Sequence, residues 1–232
     1  AAAPTDSFFE GQYDHGKKIF SYLTAQGLFP RPPEELSVLE VGCGGGLLSE
    51  ELLRAGVSVT GVDLAGGALR HAMLHARSEG VEPRYVQAPA EALPFREKTF
   101  AAVLSSDFLE HVQDIRACVQ ECARVLSPGG VFLYDTINRT WLTRIFHVGV
   151  LQKWRKLVPP NTHDWRQFIR PRELEKAMRA CGLQPVEKRG LHPAHPIRFA
   201  LHLLTHRKGR DRMPPFRIVS STAGSYLGYA LK

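Results

Sequence analysis

Residues Ser37 to Asp63 read S-V-L-E-V-G-C-G-G-G-L-L-S-E-E-L-L-R-A-G-V-S-V-T-G-V-D, and this stretch decides the fold. Val38-Leu39-Glu40-Val41 has the composition of a buried strand. The run breaks at Gly42-Cys43-Gly44-Gly45-Gly46, and Leu47, Leu48, Leu52 and Leu53 then recur at helical spacing. A second strand, Val57 to Val62, ends on Asp63. Strand, glycine turn, helix and strand make half of a βαβ nucleotide-binding unit. Glycines at the turn let a ligand approach the backbone with no Cβ in the way. An acidic residue at the tip of the second strand can accept both hydroxyls of a ribose.

The glycine spacing then chooses the ligand. A dinucleotide fingerprint requires G-x-G-x-x-G, but Leu47 stands where the third glycine would be. The run is instead E-x-G-x-G-x-G, opening on Glu40. A pyrophosphate seeks free N–H groups at a helix N-terminus, whereas a ligand with a sulfonium, an amine and a carboxylate can use an acidic residue beside the turn. This pattern resembles motif I of the class I S-adenosylmethionine (SAM) methyltransferases.

Working outward, Phe8 to Gln26 reads as a helix, closed by the Gly27–Pro33 linker. After Asp63 come a helix over Ala68–Ser78, a strand over Arg84–Gln87, a loop over Ala88–Phe95 and a strand over Phe100–Leu104. A loop and helix fill Asp107–Ala123, Ser127-Pro128-Gly129-Gly130 turns the chain, and Val131–Ile137 is a fifth strand. A helix over Pro171–Cys181 and strands over Pro185–Leu191 and Ser225–Leu231 finish it. The rhythm predicts an α/β Rossmann-like fold: a seven-stranded, mostly parallel sheet with helices on both faces. Residues 1–232 read as one domain with an insertion at about 139–170. Ligands in such sheets sit at the carboxyl ends of the strands, where Gly42, Asp63, Ala88 and Ser106 fall.

Three further stretches sharpen the resemblance: Ser106-Asp107-Phe108-Leu109-Glu110-His111-Val112, Thr136-Ile137-Asn138-Arg139, and the run from Lys156 to Pro171 with its T-H-D-x-x-x-F-I-x-P core at Thr162–Pro171. Together they resemble the O-methyltransferases of ubiquinone biosynthesis, over about Val38 to Leu191. The resemblance implies SAM contacts at Gly42, Gly44, Asp63 and Ser106, with Glu40 beside them. It also implies a basic residue on the first helix, for which Lys17 and Lys18 are the nearest candidates. Pro89-Ala90-Glu91 stands where many SAM enzymes carry a carboxylate for the adenine amine, so backbone near Ala90 and apolar contact with Leu64 are expected to hold the base. Part of the family binds a divalent cation through two Glu and a His after the fourth strand. The matching positions here are Asp107, Glu110 and His111, a set that suits Mg2+, manganese or zinc. His111, with Glu110, is otherwise a candidate general base for a phenol proton. The competing reading is that the E-H-V segment only starts a helix. His163 and Asn138 are candidate acceptor contacts; a loop in which Asp164 caps a turn is the plainer alternative for His163.

Composition bounds the partners. The 232 residues carry 30 Lys+Arg against 23 Asp+Glu, a net charge of +7. The excess concentrates between Lys153 and Arg217. Four cysteines, Cys43, Cys118, Cys122 and Cys181, form no C-x-x-C, which suits a reduced compartment without structural zinc. The chain starts Ala1-Ala2-Ala3 without methionine, which reads as a processed or trimmed end. In Trp141–Val158, and again in Ile197–Lys208, apolar residues recur with Arg and Lys among them, the pattern of an interfacial helix. Expected partners are therefore a phenolic small molecule or polyprenylated lipid, a membrane surface, and other quinone-biosynthesis proteins. No N-P-P-Y/F tetrapeptide is present to hold a flipped base, which argues against nucleic acid. The expected setting is the bacterial inner-membrane face or the mitochondrial matrix face. Methylation of another phenolic metabolite and a non-catalytic SAM- or lipid-binding adapter are the alternatives.

Overall fold

A computed structural model describes residues 36–154, 163–205 and 216–232. The helix expected over Phe8–Gln26, Lys17 with it, lies outside the described residues, as does the end of the Trp141–Val158 segment.

The strands are β1 (Ser37–Val41), β2 (Ser58–Asp63), β3 (Arg84–Gln87), β4 (Phe100–Ser105), β5 (Leu126–Ile137), β6 (Gln184–Pro193), β7 (Phe216–Val219) and β8 (Ser225–Leu231). They form one sheet in the order β3-β2-β1-β4-β5-β8-β6-β7. The first five pair in parallel, and β8 lies antiparallel between β5 and β6. Among the described residues the sheet thus has eight strands where seven were expected. The additional one is the four-residue edge strand β7, antiparallel to β6. The order reverses at β1, with β2 on one side and β4 on the other, so their carboxyl ends flank a switch-point crevice.

Strand alternation splits the core in two. Leu39, Val41, Val103, Phe132 and Tyr134 point to one face, where α3 (Ile115–Val125) and α4 (Pro171–Ala180) cover them through Cys118, Val119, Cys122, Leu174 and Met178. Val38, Ala102, Leu104, Val131 and Leu133 point to the other, against Leu48 and Leu52 of α1 (Leu47–Arg54). Glu40 falls on this second face. Helix α2 (Gly66–Ser78) packs beside β2 and β3.

Local chemistry sets the ends. Asp114 caps α3 by accepting from the N–H groups of Arg116 and Ala117 at 2.9 and 3.0 Å, and Pro171 opens α4 at a position where no N–H is needed. The expected turn at Ser127–Gly130 is part of β5. Its register to β4 shifts between Phe100 and Ala102; the Gly129 N–H donates to the Lys232 carbonyl at 3.0 Å and the Lys232 N–H donates to the Gly130 carbonyl at 3.0 Å. After β5 a single helical turn, Trp141–Thr143, continues as a π-helix over Arg144–Trp154. The second apolar-basic stretch opens as α5 (Pro196–Thr205). Among the described residues no helix is long and apolar enough to cross a membrane.

Leu174 is fully buried between α4 and α3. Leu174→Ala is expected to cost about 2–5 kcal/mol through lost burial and a residual cavity. Urea unfolding checks this, and a loss below about 1 kcal/mol would contradict the packing described.

Candidate functional site

The glycine turn is built by its own backbone. Gly42 and Gly46 hold φ of 79° and 77°, the left-handed region that suits glycine. Space makes the same demand: a Cβ on Gly42 would lie 2.1 Å from the Phe108 ring, and one on Gly46 would lie 2.0 Å from the Tyr85 hydroxyl oxygen. Gly44 and Gly45 differ, since a Cβ on either meets nothing within 4 Å. Those two present bare backbone to a cavity of about 240 Å³.

Asp63 ties the turn to the sheet. Its Oδ2 accepts the Gly44 N–H at 2.9 Å and its Oδ1 accepts the Ala65 N–H at 2.7 Å. A carboxylate offers about four lone-pair positions, so the same group keeps capacity for two ribose hydroxyls. Glu40 lies in the cavity floor, 4 % exposed, and accepts a hydrogen bond from the Ser49 hydroxyl of α1. Burial pushes its carboxyl up to about 7, against the lowering effect of Ser49.

The other wall comes from the segment after β4. Ser106, Asp107, Phe108 and His111 line the same cavity. His111 stands at the exposed rim, yet the protein around it still holds its imidazole below the usual histidine range through desolvation. The His163 ring stacks on it, centroids 5.6 Å apart and planes at 22°. Burial first, and then His111, push His163 down to about 4. Fifty-two positions separate the two histidines in sequence (163 − 111), and the fold makes them neighbours. His147 and Phe168 pack edge-on against His163 from the far side.

The remaining expected residues are placed differently. Ala90 is buried in the core, and Leu64, at the tip of β2, is 66 % exposed; neither lines the cavity. Asn138 is buried, and its side-chain amide donates to the Thr222 carbonyl at 2.6 Å, so it fastens the end of β5 to the loop before β8. Asp164 accepts from the Arg166 N–H at 2.9 Å and caps a short turn. Glu110 lies beneath the cavity, 2 % exposed, with Oε2 accepting from Thr136 Oγ1 at 2.7 Å and Oε1 buried without a partner. The motifs contain Ser49, Phe108 and Thr136 without giving them a role, and Asp135 lies outside all of them. Asp135 left one signal, a lone carboxylate inside the apolar run Val131–Ile137.

Comparison with known proteins fits this geometry. A methyltransferase-domain family model matches residues 39–134. A ubiquinone biosynthesis O-methyltransferase of Dinoroseobacter shibae is 41 % identical over 165 residues, covering 70 % of this chain and 65 % of the relative. The protein of that name from Vibrio cholerae is 39 % identical over 169 residues, covering 72 % and 67 %. The chain belongs to the ubiquinone biosynthesis O-methyltransferase family. It spans about 65 % of the length of the first of these relatives. A SAM-dependent methyltransferase from Methanosarcina mazei shares the fold, with a TM-score of 0.61, 22 % identity, and coverage of 86 % of this chain and 93 % of that one.

SAM is the cofactor of the family, and the residues present fit it. Gly44 and Gly45 leave bare backbone, Asp63 keeps free lone pairs, and Glu40 sets a carboxyl in the cavity floor. A divalent cation does not find the same fit. Among the described residues no three His, Cys, Asp or Glu side chains converge as an ion-holding group. Glu110 is tied to Thr136, and burial first, with the Asp107 carboxylate next, pushes its carboxyl up from the ordinary range. Among the described residues the site expected from Asp107, Glu110 and His111 is thus not assembled.

Glu40 gives the cofactor site a pH dependence of definite sign. Its folded value of about 7 lies above the ordinary 4.5, so the folded state binds more protons and unliganded stability falls as pH rises between these values. A cationic ligand favours the carboxylate instead. SAM affinity is therefore expected to weaken by about tenfold from pH 8 to pH 6 in the wild type relative to Glu40→Gln. Calorimetric titrations of both proteins across that range measure it; parallel pH profiles would show that Glu40 does not sense the ligand.

Proposed function

We propose that the chain transfers the methyl group of SAM to a phenolic oxygen of a polyprenylated quinone precursor. The observation that carries this reading is the shared cavity, walled on one side by the Gly42–Gly46 turn and on the other by Ser106–His111, with His163 stacked behind His111. When bound, SAM supplies an electrophilic methyl group on a sulfonium. Asp63 and the bare backbone of Gly44 and Gly45 hold the nucleoside, and Glu40 offers a carboxyl to its cationic part.

His111 is the base in this reading. Its depressed imidazole is neutral at pH 7, so a ring nitrogen can accept the phenol proton as the oxygen attacks. His163 restricts the ring by stacking and, being held down to about 4 itself, adds no competing positive charge at neutral pH. Most of the rate enhancement comes from holding the two reactants in line.

The acceptor side is assigned to the insertion at about 139–170. Trp141, Leu142 and Ile145 are more than half exposed there, as are Ile197 and Leu201 on α5. Arg144 lies 4.8 Å and 5.2 Å from the ring centroids of Trp141 and Trp165. Exposed apolar side chains with a cation over tryptophan suit a peripheral contact with an anionic membrane, where a polyprenyl tail resides. The inner-membrane face of a bacterium, or the matrix face of a mitochondrial membrane, is the setting this implies, with other quinone-biosynthesis proteins as neighbours.

The test is methyl transfer from labelled SAM to a short-chain polyprenyl catechol, with and without anionic vesicles. The wild type is expected to turn over, and His111→Ala to lose about 10²–10⁴-fold in kcat while binding S-adenosylhomocysteine as before. Turnover of tail-less phenols alone, indifferent to vesicles, would favour a soluble phenolic metabolite. Cofactor binding without turnover on any phenol would leave the adapter reading.

A further inference from the structure

Asp135 belongs to none of the motifs that mark the site. It lies near the end of β5, 1 % exposed, in a run otherwise made of Val131, Phe132, Leu133, Tyr134, Thr136 and Ile137. Burying a carboxylate is costly unless hydrogen bonds offset it. One of its bonds crosses to the segment after β4: Oδ2 accepts the backbone N–H of Asp107 at 3.2 Å.

That acceptor holds an unusual piece of backbone. Asp107 has φ of 47°, one of two non-glycine residues with positive φ among the described residues. The left-handed conformation is disfavoured for any residue with a Cβ and persists where surroundings hold it. The chain then sends the Phe108 ring against Gly42 and, one 3-10 turn later, brings His111 to the cavity rim.

We propose that Asp135 is a positioning residue for methyl transfer. By accepting the Asp107 N–H it fixes the left-handed turn from which Phe108 closes on the glycine loop and His111 is aimed at the acceptor. The carboxylate touches neither cofactor nor acceptor and acts through the turn. The inference rests on the methyltransferase reading above.

The requirement is an acceptor oxygen at this place, so Asp135→Asn, which keeps one, is compared with Asp135→Leu, which does not. Measured are kcat and KM for a polyprenyl catechol and, by calorimetry, affinity for S-adenosylhomocysteine. The expected result is a fall of about a hundredfold in kcat for the Leu variant, the scale of a small misplacement of a reacting group, with cofactor affinity changed by no more than about threefold. The Asn variant stays within about threefold of wild type in all three. Glycine adopts the left-handed region at no steric cost, so adding Asp107→Gly to Asp135→Leu is expected to restore part of kcat. A folded Leu variant with wild-type kcat overturns the proposal, as does an Asn variant as impaired as Leu. Hydrogen exchange at the Asp107 amide in the wild type needs no variant: protection supports the bond, and exchange at open-loop rates overturns it. Absence of turnover by the wild type itself would instead remove the methyltransferase reading, leaving the exchange measurement to decide the bond.

Discussion

The Asp63 carboxylate holds the site together. It closes β2, receives the Gly44 N–H from the turn after β1, and receives the Ala65 N–H from the start of the next connection. Two neighbouring parallel strands are thereby pinned at their carboxyl ends by one charged group. Hydrogen bonds from backbone N–H to a carboxylate are stronger than neutral ones, and this pair leaves the outward lone pairs free. Structure and ligand capacity come from one side chain. The glycines follow from that clamp: the loop must pass close to β2, turn through positive φ at Gly42 and Gly46, and clear Phe108 and Tyr85.

The acceptor side is assembled by longer-range contacts. β4 delivers Ser106 to His111, β5 supplies Asp135 and Thr136 beneath them, and the segment before α4 supplies His163 above. Asp107, Phe108, Glu110 and His111 each meet a neighbour from another element, so the wall is more dependent on tertiary packing than the glycine turn. Burial also fixes charge. It raises the Glu110 carboxyl and lowers the His111 and His163 imidazoles from their ordinary ranges.

Local signals carried much of this in the sequence. The strand–turn–helix–strand stretch Ser37–Asp63 announced the βαβ unit because its glycines, periodicity and terminal carboxylate are contiguous. Strands β1 and β4 were legible because a strand buried on both faces is a nearly unbroken apolar run, whereas β2 and β3 were placed by the glycine turn before one, Pro83 before the other, and the strand–helix rhythm. The edge strand β7 was not: Phe216-Arg217-Ile218-Val219 is short and follows Pro214-Pro215 in a basic stretch, so it reads as linker. The π-helix at Arg144–Trp154 has no local signature beyond helical spacing. In the site, Asp63 and Gly44 were readable from neighbours in the chain. Asp135, Thr136 and the side-by-side placement of His111 and His163 were not, because they arise from contacts between residues 26 to 52 positions apart. The cation expected at Asp107, Glu110 and His111 shows the same limit: adjacency in sequence did not give convergence in space, because Glu110 turns inward onto Thr136.

The role of Asp63 in holding the cofactor is tested by a calorimetric titration of the purified protein with S-adenosylhomocysteine, repeated on Asp63→Ala. Micromolar binding by the wild type, on the order of −8 kcal/mol, and its loss in the variant are expected. Absence of binding by the folded wild type, or equal binding by Asp63→Ala, would contradict that role.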